Sequence, residues 1–162
     1  MNYASINKTD IANGLGVRVS VFVSGCRHRC PGCFNKEAWD FNYGVAFSEE
    51  TVSEILEALN HDYISGLTIL GGEPFEPENL STVRELCKTV KEKYPEKSVW
   101  VYTGLLYDNV ADAKVMRYID VLVDGPFIQE QKDLTLHFRG SKNQRIIDVQ
   151  KTRESGMIQL FL

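Results

Sequence analysis

Apolar residues in this chain fall into short runs with two different periods. Residues 18–24 alternate, with Val19, Val21 and Val23 on one side and Ser20, Phe22 and Ser24 on the other, which predicts a strand ending at Gly25. After Ser48 the period lengthens: Val52, Ile55, Leu56 and Leu59 share one helical face up to about Asn60. Ser48 is a good N-cap for that helix, and Glu49 and Glu50 favour its first turn. The run GLTIL at 66–70 predicts a second strand leading into Gly71-Gly72-Glu73-Pro74. A second helix starts near Pro77, carries Leu80, Val83, Leu86, Cys87 and Val90 on one face, and stops at Tyr94-Pro95, because proline disfavours helix at the residue before it. SVWVY at 98–102 predicts a third strand, and 108–118 a weaker helix with Val110, Val115 and Met116 buried. DVLV at 120–123 predicts a fourth strand before Gly125-Pro126, and about the last ten residues carry no readable signal.

Strands and helices alternate, which predicts an α/β fold with a mostly parallel sheet and right-handed crossovers. Ligand-binding loops of such sheets gather at the carboxyl ends of the strands. The cysteine-rich loop, the GGEP turn, Thr103-Gly104 and Asp124-Gly125 each follow a strand and are expected to share one edge. A length of 162 residues with 43% hydrophobic residues suits one domain over 1–162 with a real core. Lys and Arg number 18 against 22 Asp and Glu, with no long basic run, so no nucleic-acid partner is expected. No apolar stretch is long enough to span a bilayer, and residues 1–5 lack a secretory pattern, so no membrane partner and a cytoplasmic location are expected.

Cys26, Cys30 and Cys33 stand at C-x3-C-x2-C spacing, while Cys87 is distant. Thiols this close suit one metal centre, and soft sulfur ligands select iron–sulfur clusters, zinc or copper(I). A closed zinc site wants four ligands, with His28 or Cys87 as the fourth. A cubane held by three cysteines would instead keep one iron open for chemistry. Arg27 and Arg29 are expected to favour the thiolates. Cys87 lies on an apolar helix face, where free cysteine acts as a small core residue. Trp39 and Trp100 are expected in the core, and His61 and His137 at the surface. Asn13-Gly14-x-Gly16-x-Arg18 precedes the first strand, and no helix follows it to make a dinucleotide fingerprint.

The C-x3-C-x2-C loop after one strand, with a GGE-type turn after the next, resembles the radical S-adenosylmethionine (SAM) superfamily. The resemblance implies a partial (β/α) barrel with a 4Fe–4S cluster on Cys26, Cys30 and Cys33, whose fourth iron SAM chelates. It places Gly32, Cys33 and Phe34 beside the cofactor, with Phe34 over the adenine. It also places Gly71, Gly72 and Glu73 at the methionyl amino group, where a side chain at Gly72 is expected to block SAM without removing iron. The superfamily usually has an aromatic residue just before the third cysteine, where this chain has Gly32. Its organic-radical activases share the variation seen here, an aromatic and an Asn after the last cysteine, as Phe34-Asn35. The Asn13–Arg18 element resembles one in these activases that forms part of the site floor.

Val121-Leu122-Val123-Asp124-Gly125-Pro126-Phe127 followed by Arg139-Gly140-Ser141-x-Asn143-Gln144-Arg145 resembles the branch that activates the anaerobic ribonucleoside-triphosphate reductase. That resemblance, running from about Asp10 to Asp148, implies reductive cleavage of SAM to a 5′-deoxyadenosyl radical that takes hydrogen from a glycine of the reductase. It also implies a one-electron donor such as a reduced flavodoxin, and no catalytic acid or base. The alternatives are an activase of another glycyl-radical enzyme, of the pyruvate formate-lyase type, and a non-catalytic zinc module. Residues 124–145 read as a docking surface, with Phe127 and Phe138 as apolar anchors and Arg139, Asn143, Gln144 and Arg145 as hydrogen-bonding groups.

Overall fold

The computed structural model of the chain describes residues 1–33 and 35–162. Phe34, assigned above to the adenine, lies outside the described residues. The elements are β1 (Asn2–Asp10), β2 (Val17–Val23), β3 (Val45–Ala46), α1 (Glu49–Leu59), β4 (Ile64–Gly71), α2 (Pro77–Lys93), β5 (Ser98–Tyr102), α3 (Tyr107–Val110), β6 (Val121–Asp124), β7 (Arg145–Asp148) and α4 (Val149–Ser155). The described strands form one sheet in the order β3-β1-β2-β4-β5-β6-β7.

The four strands legible from periodicity, β2, β4, β5 and β6, are the central parallel ones. β1, β3 and β7 flank them antiparallel, so the sheet is mixed. Alternation along the parallel strands sends side chains to two faces. Val19, Val21 and Val23 of β2, with Leu67, Ile69, Val99, Val101 and Leu122, join Ile55 and Leu59 of α1 and Val83, Leu86 and Val90 of α2 in the main core. The opposite face carries Trp100, Val121, Val123 and Ile146, with Tyr102 and Phe138 packed against them.

The predicted first two helices form as expected. Ser48 opens α1 with its N–H donating to Thr51 Oγ1 at 3.1 Å, and Pro77 occupies the first turn of α2, where its missing N–H costs nothing. The expected helix over 108–118 is broken instead. It forms α3, then a turn, then a 3-10 segment Lys114–Tyr118, because Ala113 takes an extended conformation (ψ 137°) between them. Val110, Val115 and Met116 are buried all the same.

Arg18 is buried on the second face, its guanidinium donating to Thr68 Oγ1 (2.8 Å), Ser98 Oγ (3.0 Å) and the carbonyls of Leu15, Leu67 and Ser98. It also lies over the Trp100 ring at 5.5 Å. Burial pulls its pKa down to about 10, partly offset by Tyr102, Asp120 and Asp10. Neighbouring Asp10 accepts from Ser20 Oγ at 2.6 Å and Asn13 Nδ2 at 2.8 Å, and Thr68 Oγ1 donates to the Asn13 carbonyl. The Asn13–Arg18 element is thus a polar plug between the strands, with Asn13 facing the cavity described next.

Candidate active site

The carboxyl ends of the parallel strands surround a cavity of about 390 Å³. Cys26, Cys30 and Cys33 line it from the loop after β2, Gly71, Gly72 and Glu73 from the turn after β4, Thr103 and Gly104 from beyond β5, and Gly125 from beyond β6. The edge expected from the sequence is therefore formed. Phe22, Leu70, Tyr102, Phe127 and Phe138 add apolar wall, and Asn13 also lines the cavity. Gly32 sits on the exposed outer side of the cysteine loop, where a Cβ would meet the Gln129 side chain at 2.7 Å.

The cysteine loop is tied down by backbone and by side chains. Gly25 N–H donates to the Ala38 carbonyl at 2.7 Å and Cys26 N–H to that of Trp39 at 3.3 Å. The buried Asn79 of α2 donates to the carbonyls of both Ser24 and Glu73 at 3.0 Å, joining the loop to the turn after β4. Arg27 reaches outward to Glu76 and Glu78 at the start of α2 and stacks over Phe41 at 4.4 Å, while Arg29 stacks over Trp39 at 5.1 Å. Those guanidiniums are therefore engaged by carboxylates and aromatic rings. Burial, aided by the Glu73 carboxylate, pushes the Cys26 thiol up to about 11, against the thiolate-favouring reading at that one cysteine. Ligand binding at Cys26 accordingly displaces a proton. Trp39 is only half-buried and lines the cavity, whereas Trp100 is in the core as expected. His61 and His137 are exposed.

Glu73 is 2% exposed, and its carboxylate is fully engaged. It accepts from His28 Nε2 at 2.6 Å, Thr103 Oγ1 at 2.9 Å, Gly104 N–H at 2.8 Å and Phe75 N–H at 2.9 Å. The hydrogen bond to Glu73 raises the His28 pKa against the opposing effect of burial. Any stability from this pair is therefore complete below the ordinary histidine range and lost as pH rises through the raised value. Neither fourth zinc ligand considered from the sequence faces the thiols freely: His28 Nε2 is held by Glu73, and Cys87 is wholly buried in the main core. Among the described residues no three His, Cys, Asp or Glu side chains already converge on one ion-sized point. What the loop supplies is three free cysteines on one cavity wall.

The glycines after β4 have a structural task. Gly72 N–H donates to the Val23 carbonyl at 2.7 Å, and a Cβ on Gly72 would come within 2.6 Å of the Gly25 carbonyl and 3.0 Å of that of Ala38. The turn packs directly on the backbone that launches the cysteine loop. A Gly72→Val protein is therefore expected to lose cysteine-loop order together with any ligand site. Its apo form should be destabilised by on the order of 1–3 kcal/mol, seen as a lower melting temperature, with iron uptake reduced in parallel. Normal iron uptake with only the small-molecule response lost would contradict this and restore the simpler reading of Gly72 as a ligand contact alone.

Arg139, Asn143, Gln144 and Arg145 of the 124–145 segment bond to the chain itself. Asn143 Nδ2 donates to the Pro126 carbonyl at 2.7 Å, Gln144 Nε2 to that of Gly125 at 3.1 Å, and Arg139 Nη1 to those of Lys142 and Gln144. Arg145 pairs with the buried Asp124. These groups, read from the sequence as free hydrogen-bonding contacts, shape the segment from within, while Leu134 at its outer tip is 89% exposed.

The profile of the 4Fe-4S single cluster domain matches residues 12–147. The chain is 43% identical over 150 residues to the anaerobic ribonucleoside-triphosphate reductase-activating protein of Haemophilus influenzae, covering 90% of this chain and 97% of that one. It is 42% identical over 148 residues to the protein of that name from Escherichia coli K12 (89% and 96% covered). With that of Enterobacteria phage T4 it shares 39% over 146 residues (90% and 93% covered). The three-cysteine loop and the glycine turn on one cavity, and these matches over nearly the whole of each chain, place the protein in the family of anaerobic ribonucleoside-triphosphate reductase-activating proteins.

Proposed function

We propose that this chain generates a glycyl radical on an anaerobic ribonucleoside-triphosphate reductase, using SAM and a 4Fe–4S cluster held by Cys26, Cys30 and Cys33. The observation that carries the reading is the single cavity that joins the three thiols to the glycine turn at the ends of the parallel strands. When bound, the cluster and SAM supply the chemistry, one-electron cleavage of the sulfonium to an adenosyl radical that takes hydrogen from a glycine Cα.

The chain's own residues bind, orient and shield. The Glu73 carboxylate is saturated, and among the described residues no turn or side-chain donor reaches the Gly72 carbonyl. That carbonyl is the acceptor the turn offers to the methionyl ammonium. Phe22, Leu70, Phe127 and Phe138 form an apolar wall that excludes water from the reacting atoms. Gly32, at a φ of 78°, allows the bend of the loop just before Cys33. The four parallel strands and their inner cavity support a partial barrel of the radical SAM type within one domain. The exposed tip at Leu134 and the cavity mouth beside it offer the reductase a place to bind, and a reduced flavodoxin is a suitable electron donor.

Anaerobic reconstitution tests the reading. The protein should take up about four iron and four sulfide per chain and, with dithionite and SAM, release methionine and 5′-deoxyadenosine. Adding the reductase should produce a glycyl-radical EPR signal on that partner. Stoichiometric zinc with no SAM cleavage would sink the proposal.

A further inference from the structure

We propose that His28 is a positioning residue: through Glu73 it locks the cysteine loop to the ends of β4 and β5, fixing the orientation in which the three thiols are presented. The inference rests on the reading of Cys26, Cys30 and Cys33 as cluster ligands, and it assigns a role to a cavity-lining residue outside that ligand set.

Two side chains leave the loop between Cys26 and Cys30 in opposite directions. Arg27 points outward, 60% exposed, to carboxylates at the start of α2. The exposed Arg27 head is screened by water and constrains the loop weakly, while the bond from the Arg27 backbone N–H to Glu76 Oε2 at 2.7 Å does not depend on that side chain. His28 points inward. Its Nε2 lies 2.6 Å from Glu73 Oε1, and the His28 side chain is 26% exposed while that of Glu73 is 3% exposed.

The acceptor is itself rigid. Thr103 Oγ1, Gly104 N–H and Phe75 N–H hold the Glu73 carboxylate from β5 and from the turn into α2. The imidazole also lies flat on the β5 end, since a Cβ at Gly104 would meet its Cδ2 at 2.8 Å and its Nε2 at 2.9 Å. A ring gripped by a fixed carboxylate on one edge and by backbone on one face has little freedom left. Its own backbone lies two residues from Cys26 and two from Cys30, so the loop between these thiols inherits that restraint. Groups outside the ligand shell that fix ligand orientation typically change metal affinity by about 10–100-fold.

The test compares His28→Ala, His28→Gln and Arg27→Ala with the unaltered chain, all anaerobically reconstituted. The readouts are iron release to a ferrous chelator, the EPR spectrum of the dithionite-reduced cluster with and without SAM, and melting of the apo proteins. His28→Ala should release iron on the order of tenfold faster and show a broadened EPR spectrum. His28→Gln, whose amide nitrogen can stand in for Nε2, should recover most of both properties, and Arg27→Ala should stay within about twofold of the unaltered chain. If the apo His28→Ala protein does not fold, His28→Asn, with an amide too short to reach Glu73, replaces it with the same expectations. Unaltered release and spectrum in His28→Ala, or equal acceleration in Arg27→Ala, would overturn the assignment. An unaltered chain that takes up no cluster would overturn the functional reading beneath it, a result distinct from either of those.

Discussion

Replacing Cys26, Cys30 or Cys33 by Ala is expected to leave a colourless protein without SAM cleavage, whereas Cys87→Ala should keep both chromophore and cleavage. The three thiols line one cavity wall, and no further cysteine lines that cavity among the described residues. Losing any one of them removes a third of the protein's ligand set. Since loss of even a supporting group costs about 10–100-fold in affinity, loss of a ligand should lower both cluster content and cleavage by at least about a hundredfold. Cys87 is 0% exposed on α2 among Val83, Leu86 and Val90. Burial pushes its thiol up to about 12, so it behaves as a small apolar residue. Its truncation leaves a small void costing roughly 1 kcal/mol. Visible absorption, iron analysis and chromatography of methionine and 5′-deoxyadenosine, run on one preparation of each variant, make the comparison. Cluster loss in Cys87→Ala with retention in any of the other three would reverse the assignment.

The contrast between these cysteines was legible in the sequence because each belongs to a local pattern, three in one loop and one at helical spacing. The same holds for the central strands. Val19, Val21 and Val23 alternate because one face of β2 packs on helices, and the GLTIL and SVWVY runs are apolar because parallel strands are covered on both faces. β1 was not legible. It is largely exposed or half-buried, carries Asn2, Asn7 and Lys8, and is held by pairing with β2 rather than by an apolar face. β7 escaped for a related reason: four residues with two apolar positions give no period, and the strand is completed by the tail through the Ile147–Leu160 bridge and the Phe161 N–H bond to Ile146.

The site divides in the same way. Contiguous motifs announced which loops meet, but not how their side chains are directed. His28 was read only as a candidate fourth zinc ligand, since nothing local reveals an acceptor 45 positions away. Asn79 carried no signal at all, being one polar position in a helix whose buried amide happens to bridge two loops. Gly72 was read as clearance for a ligand, yet the nearest group to its missing side chain is the Gly25 carbonyl. The inward hydrogen bonds of Asn143 and Gln144 were likewise invisible, because a polar run reads the same whether it faces water or its own backbone.

Arg145→Met should be among the most destabilising substitutions outside the cysteines and glycines, and its effect should reach the cavity. Asp124 ends β6 with 0% side-chain exposure, accepting from Arg145 Nε at 3.0 Å and Nη2 at 2.6 Å, and from Tyr107 N–H at 2.8 Å. The pair therefore joins β6, β7 and the start of α3 beside Gly125, which lines the cavity. Removing the guanidinium leaves a buried carboxylate with one N–H partner, and breaking such a pair costs about 3–5 kcal/mol in a dry interior. The Arg145 side chain is 36% exposed, so solvent screening brings the expected cost to roughly 2–3 kcal/mol. For a domain of this size that lowers the melting temperature by roughly 4–12 °C. The double variant Asp124→Asn, Arg145→Met removes the stranded charge as well and should regain part of the loss, the coupling expected of two groups in direct contact. Thermal melts of the three apo proteins measure this directly. A single variant melting within a degree of the unaltered chain, or a double variant no better than additive, would mean that the pair contributes only as a surface bridge and that Arg145 remains available for the partner.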